Sequence, residues 1–315
     1  FINLSLKKSS AEKNSAELFF KDKFMKKIAK VLSVLAVFAF ASSSAMYSQT
    51  PPKGFVKIPA ASIKGNETWK PESEKLSGFK REIAPFYMSD HEVTRGEYKA
   101  VMGNDPSSAP ARNKNGKELT GDNAKNNPVT DVTWLEILIY CNTLSIKEGL
   151  TPCYAIGGET DPAKWKRNPW GHIPKVFDRE FYEWTDGAQC DFTADGYRLP
   201  TEYEWEWAAR GGESYTYAGS EKADKVAWYG YLFDGILGSD CGGTRDVKTK
   251  KANGYGLYDM SGNVSEWCWP YGYTGAHGGS WVDIPEFCTV SYIDYAVKKY
   301  EQYGTVGFRV VRNAK

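Results

Sequence analysis

Apolar and polar positions follow a few short, sharply bounded patterns in this chain, separated by long stretches dense in Gly, Asn and Asp. The strongest apolar run in its body is Trp134-Leu135-Glu136-Ile137-Leu138-Ile139-Tyr140. It is apolar on nearly every face, which predicts a helix inside the core. Three Thr-x-x-Glu boxes predict helix starts: Thr94 with Glu97, Thr133 with Glu136, and Thr201 with Glu204. In such a box the Thr oxygen accepts from a first-turn N–H while the Glu carboxylate reaches back to the Thr backbone. The third helix should run to Arg210 and stop at Gly211-Gly212, where glycine can take the left-handed cap. Short β-like pieces, Phe55-Val56-Lys57-Ile58 and Gly307-Phe308-Arg309-Val310-Val311, flank loops predicted at 230–243, 253–263 and 271–279. Few helices, short strands and long ordered loops predict an α+β domain whose loops carry its function.

The N-terminus has a different pattern. Met25-Lys26-Lys27 precedes an apolar run at 28–41 and the small residues Ala41-Ser42-Ser43-Ser44-Ala45. A basic start, an apolar middle and a small-residue cut describe a secretory signal peptide at 25–45, with residues 1–24 upstream of its start. The run is short for a membrane span, and no Cys lies near the cut for lipid attachment. The expectation is an exported protein at the cell surface, in the periplasm or secreted, with no transmembrane span and a single domain at 55–312.

Composition narrows the function. The 315 residues include Trp 11, Tyr 20 and Phe 15, ample for a large core. Net charge is +1, but residues 1–24 carry five Lys against three acidic residues and 25–48 three Lys against none, so this +5 leaves about −4 for the rest. A mildly acidic body without a basic stripe excludes nucleic acid as the main partner. Six Cys at 141, 153, 190, 241, 268 and 288 have irregular spacing, compatible with buried thiols or with one or two bridges. His91, His172 and His277 are too scattered for a histidine metal site.

Four segments are specific together. They are Tyr197-Arg198-Leu199-Pro200-Thr201-Glu202-Tyr203-Glu204-Trp205-Glu206-Trp207, Asn253-Gly254-Tyr255-Gly256-Leu257-Tyr258-Asp259-Met260-Ser261-Gly262-Asn263-Val264-Ser265-Glu266-Trp267, Gly278-Gly279-Ser280-Trp281, and Gly307-Phe308-Arg309. Glu92-Val93-Thr94 with Tyr98 fits the same series. This set resembles the formylglycine-generating-enzyme (sulfatase-modifying-factor) family, and the resemblance implies an elaborated C-type lectin fold. Each motif also has a framework reading. Glu202, Glu204 and Glu206 suit the positive end of a helix. Trp205, Trp207, Trp267 and Trp281 suit core anchors, and Arg198 and Arg309 suit fixed forks of donors. Asn263 and Glu266 fall where the family holds a structural calcium; oxygen ligands on a turn suit Ca²⁺, and a hydrogen-bonded turn without metal suits the residues equally. No cofactor is required.

The resemblance implies an oxidase only if its copper-binding Cys pair is kept. That pair is spaced C-x4-C, because soft thiolates hold Cu(I). Here Cys288 matches the second position and Asp283 stands at the first, a hard carboxylate where sulfur is needed. Formylglycine generation on a sulfatase cysteine is therefore the alternative, and a non-catalytic protein the reading adopted.

The segment 282–304 is unusual. Val282, Asp283, Ile284, Phe287, Tyr292, Ile293, Asp294, Tyr295, Tyr300 and Tyr303 give it a Tyr-rich, acidic and apolar mixture like that of paratopes. It resembles the variable proteins of diversity-generating retroelements of the treponemal type, whose adenine-mutagenised AAC codons become NNC codons. All ten residues belong to the NNC set, whereas Glu286, Lys298, Lys299, Glu301 and Gln302 do not. The resemblance implies an exported receptor or adhesin presenting these ten residues to an unidentified protein or cell-surface ligand.

Overall fold

The computed structural model describes residues 51–64, 80–165, 186–230, 242–270 and 275–314. The expected signal peptide, Cys241, His172 and parts of the 230–243 and 271–279 loops lie outside these residues. The strands are β1 (Phe55–Ile58), β2 (Ala61–Lys64), β3 (Lys80–Ile83), β4 (Phe86–Ser89), β5 (Ala111–Arg112), β6 (Glu118–Leu119), β7 (Tyr154–Ile156), β8 (Ala188–Cys190), β9 (Thr244–Arg245), β10 (Ser265–Trp267), β11 (Ala276–His277), β12 (Ile293–Asp294), β13 (Val306–Gly307) and β14 (Val311–Asn313). The helices are α1 (Arg95–Met102), α2 (Trp134–Lys147), α3 (Glu202–Arg210) and the short α4 (Ala223–Val226). This is the mixed α+β architecture the pattern implied.

All three capping boxes form as predicted. In α1, Glu97 N donates to Thr94 Oγ1 at 3.2 Å, and Thr94 N donates back to Glu97 Oε2 at 2.8 Å. Helix α3 ends at Gly211 with φ +62°. Its last carbonyls are capped from far away: Asn253 Nδ2 donates to Ala208 O at 2.7 Å and to Ala209 O at 3.0 Å. The same side chain accepts from Tyr255 N and Leu257 N, so one amide stops a helix and folds the Asn253-Gly254-Tyr255-Gly256-Leu257 turn.

Strand β4 lies between β1 and β14, paired antiparallel to both, and is buried along its whole length. A second sheet has the order β12-β11-β10-β13, with β10 and β13 parallel. The predicted piece 307–311 is broken, and the break is informative. Gly307 ends β13 in the second sheet, and Val311 begins β14 in the first. Between them the carbonyls of Phe308 and Val310 accept from Val93 and Ser89, so the chain changes sheets while Arg309 turns inward.

Two large apolar clusters and a small third one, which gathers Ala223, Ala227, Tyr229 and Cys288, are buried among the described residues. The first gathers Trp134, Leu135, Ile137 and Leu138 of α2 with Tyr98, Trp267 and Phe308; the second gathers Trp205, Ala208, Met88, Leu257, Met260 and Val311. Trp205 and Trp267 are fully buried, as expected. Trp207 and Trp281 are only half-buried, a correction to the core reading of all four. Trp207 packs against the edge of the second cluster, its indole donating to Pro59 O at 3.0 Å. Trp281 lies at a loop mouth and donates to Gly304 O at 3.1 Å. Cys141, Cys153, Cys190 and Cys268 are in no disulfide, and Cys288 is fully buried.

Candidate functional site

Ile293 and Asp294 form β12, the outer strand of the second sheet, paired with His277 and Ala276. The segment 282–304 leaves the framework just after Ser280. Asp283 Oδ2 accepts from Ser280 N at 2.8 Å and Ser280 Oγ at 2.6 Å, while Gly230 N donates to Asp283 O at 2.9 Å. Gly278 and Gly279 have φ +86° and +66°. A Cβ on Gly279 would come within 2.8 Å of the Cys288 sulfur, and one on Gly278 within 3.0 Å of the Trp205 ring. The double glycine thus lets the loop mouth lie directly on the core.

A 3₁₀ turn at Pro285–Phe287 then carries Phe287 against Tyr292, with ring centroids 4.9 Å apart and planes 28° from parallel. Asp283 and Asp294 act electrostatically on Tyr292, in a patch that also holds its stacking partner Phe287. Burial raises the Asp283 carboxyl and Asp294 raises it further, against the two Ser280 hydrogen bonds. Burial first, then Asp294 and Asp283, push the Tyr292 hydroxyl up to about 12. Of the ten candidate residues only Tyr295 is exposed, at 43%. Val282, Asp283, Ile284, Phe287, Tyr292, Ile293, Asp294, Tyr300 and Tyr303 are half-buried, so the segment is a folded surface with depth. Tyr303 is tied both to its own segment and to the frame. Its hydroxyl contacts Glu301 and accepts from Lys298 N, its carbonyl accepts from Asp131 N, and its ring packs on the first core cluster.

Beneath the patch lies a buried ionic frame. Arg309 Nε donates to Glu266 Oε2 at 2.7 Å and its Nη2 to Glu266 Oε1 at 2.6 Å, with both side chains at most 1% exposed. Trp205 Nε1 adds a third donor to Glu266 Oε2 at 2.7 Å. Asn263, in left-handed backbone at φ +62°, donates to Glu92 Oε2 at 2.6 Å and accepts from Arg245 N at 2.9 Å. Burial raises the Glu92 carboxyl well above its usual range, and Asp259 and Glu266 push it the same way. Asp259 is raised to about 6, mainly by burial, and its Oδ1 has no hydrogen-bond partner among the described residues. His277 is fully buried 5.0 Å from the Trp205 ring, with neither ring nitrogen hydrogen-bonded among the described residues. Burial lowers its pKa to about 3, so it is neutral. Glu92, Arg245, Asp259 and His277 were not legible as a buried ionisable layer, because their partners stand up to 172 residues away along the chain.

The fit of a calcium ion to Asn263 and Glu266 fails on this geometry. Both Glu266 oxygens are spent on Arg309 and Trp205, and the amide oxygen of Asn263 is spent on a backbone N–H. A divalent cation there would also face a buried guanidinium at hydrogen-bond range of the same carboxylate. Among the described residues no three His, Cys, Asp or Glu side chains are grouped as metal ligands.

Comparison with known proteins places this geometry. Residues 42–314 match the model of the sulfatase-modifying factor enzyme 1-like domain. The chain belongs to that family. A Paenibacillus barcinonensis relative, chaperone protein LppX, is 34% identical over 258 residues, covering 73% of this chain and 81% of the relative. The formylglycine-generating enzyme of Mycobacterium tuberculosis is 40% identical, but over 119 residues, 34% of this chain and 39% of the enzyme. The inactive Cα-formylglycine-generating enzyme 2 of Mus musculus is 33% identical over 149 residues, 37% of this chain and 47% of that protein. Among solved structures, Treponema denticola variable protein 1 superposes with a TM-score of 0.65 at 30% identity, covering 82% of this chain and 95% of that one. The likeness to that structure bears out both the C-type lectin fold of the family and the resemblance to variable proteins.

The family name covers both active and inactive members, so chemistry must be read from the residues. At the copper position this member of the family has one thiol, Cys288, and one carboxylate, Asp283, whose Oδ2 is committed to Ser280. A two-thiolate copper site does not fit these side chains. Among the described residues, no helix of this family member is long and apolar enough to cross a membrane.

Proposed function

We propose that this protein is an exported, non-catalytic receptor or adhesin that presents residues 282–304 as a diversified ligand-binding surface. One observation carries the reading. The segment's NNC-type aromatic, acidic and apolar residues lie on a single excursion whose two ends are tied by Trp281 to Gly304 and, below, by Glu266 to Arg309. Such an arrangement separates what varies from what holds the fold. The likeness to a Treponema variable protein supports it, and a relative named as a chaperone also implies binding of another molecule. The 25–45 segment supplies the export signal in this reading.

The test is genetic. A near-identical repeat of the 282–304 coding region, differing only at adenines and lying beside a reverse-transcriptase gene, is expected near the gene. Sequences from independent isolates should differ at Val282, Ile284, Tyr292 and Tyr295 and agree at Glu266, Trp281 and Arg309. Substitutions spread evenly over the domain, with no repeat, would overturn the reading.

A further inference from the structure

We propose that Asp283 and Tyr303, two of the ten candidate residues, are positioning residues. They clasp the entry and the exit of the 282–304 segment and leave ligand contact to the residues between them. The inference rests on the receptor reading and divides its surface.

At the entry, Asp283 is bonded through both its side chain and its backbone. Its Oδ2 holds Ser280 N at 2.8 Å and Ser280 Oγ at 2.6 Å, and its own N donates to Ser280 O at 3.1 Å, so the 280–283 turn is closed twice. Its carbonyl accepts from Gly230 N at 2.9 Å. A Cβ on Gly230 would come within 2.2 Å of Trp281 O and 2.6 Å of Val282 Cα, so the turn lies directly on that glycine. Ser280 is fully buried, and Trp281 N donates to Asn263 O at 2.9 Å, which fixes the turn to the frame. Losing the Asp283 carboxylate would leave buried Ser280 donors without their acceptor.

At the exit, the Tyr303 hydroxyl donates to Glu301 Oε2 at 2.6 Å and accepts from Lys298 N at 3.1 Å, while its carbonyl accepts from Asp131 N at 3.0 Å. Its neighbours are docked as well. Val297 belongs to the first core cluster, and Lys299 O accepts from Trp134 N at 2.9 Å at the head of α2. Trp281 Nε1 donates to Gly304 O at 3.1 Å and so joins exit to entry. Between the clasps, Phe287 and Tyr292 stack on each other and Tyr295 is exposed. Substituting those side chains removes none of the bonds that hold either end. Asp and Tyr each have an NNT codon besides the NNC one, so Asp283 and Tyr303 fit the NNC set without being products of mutagenesis.

Two measurements test the division. The repeat expected near the gene should differ at adenines in the codons of Ile284, Tyr292 and Tyr295 and be identical at those of Asp283 and Tyr303. Hydrogen–deuterium exchange on the full chain reads the clasp itself. Asp283→Ala should speed exchange at 280–295 about tenfold, with the peptides of β4 and α2 unchanged. Asp283→Asn keeps an acceptor oxygen for Ser280 and should exchange at the parent rate. Tyr303→Phe, which removes only the hydroxyl, should speed exchange at the Lys298 amide and leave 280–283 unchanged. A repeat that differs at Asp283 or Tyr303 as it does at Tyr292 overturns the proposal without touching the receptor reading. So does exchange in Asp283→Ala equal to the parent's, or Asp283→Asn exchanging as fast as Asp283→Ala. Absence of any repeat overturns the receptor reading itself, a result distinct from all of these.

Discussion

Arg309 grips Glu266 through two parallel hydrogen bonds of 2.7 and 2.6 Å, and in doing so closes the chain across the entire 282–304 segment. Glu266 belongs to β10 before the excursion, and Arg309 follows β13 after it; the strands themselves pair in parallel, Glu266 opposite Gly307. Arg309 also donates to Ser89 O and Tyr258 O, so a single guanidinium joins four chain segments. Removing one partner strands a buried charge. Glu266→Gln and Arg309→Met should each cost about 3–5 kcal/mol in urea unfolding. A loss below about 1 kcal/mol would show that the pair is not what closes the frame.

Tolerance to substitution should divide along the same boundary. Trp267→Ala empties a fully buried site and should cost on the order of 3–5 kcal/mol. Tyr295→Ser, at an exposed position, should stay within about 0.5 kcal/mol. Tyr292→Ser loses one ring stack and should cost about 1 kcal/mol. Melts in which the two Tyr variants unfold as early as the Trp variant would make the segment part of the core.

Two buried groups should give the stability curve opposing slopes in mild acid. Asp259 has a native pKa of about 6 against 3.8 for the ordinary group, so its proton favours the fold. That contribution, about 3 kcal/mol, is full below pH 3.8 and disappears as pH rises to about 6. His277, lowered to about 3 from 6.5, works the other way. Its contribution is full above pH 6.5 and is lost as pH falls toward 3, by about 5 kcal/mol in all. Relative to the parent, Asp259→Asn should therefore gain stability between pH 4 and pH 7, and His277→Phe should gain it between pH 7 and pH 4. Parallel curves for parent and variants would contradict both assignments.

The copper position can be tested directly. The parent protein with Cu(I) should not convert the cysteine of a sulfatase peptide to formylglycine, and a strong Cu(I) chelator should strip the metal from it. Asp283→Cys supplies the missing soft ligand beside Cys288 and should raise Cu(I) affinity by at least a hundredfold in chelator competition. Turnover by the parent protein would restore the oxidase reading.

Local chemistry was legible without coordinates wherever cause and effect lie a few residues apart. The boxes at Thr94, Thr133 and Thr201 name both donor and acceptor within one turn, and the apolar run from Trp134 to Tyr140 can only be satisfied by burial. Motif spacing also identified the family, and the single mismatch at Asp283 argued against its chemistry. The tertiary structure alone decided the rest. It set Trp205 and Trp267 inside but left Trp207 and Trp281 at the edge, because a tryptophan is buried only as far as the facing element covers it. It gave the Glu266 oxygens to Arg309, and it buried neutral His277 on the strand beside the outer one, against the Trp205 ring. Those outcomes depend on which charges and rings the folded chain brings together from positions 43 to 172 residues apart, and no local pattern encodes such a meeting.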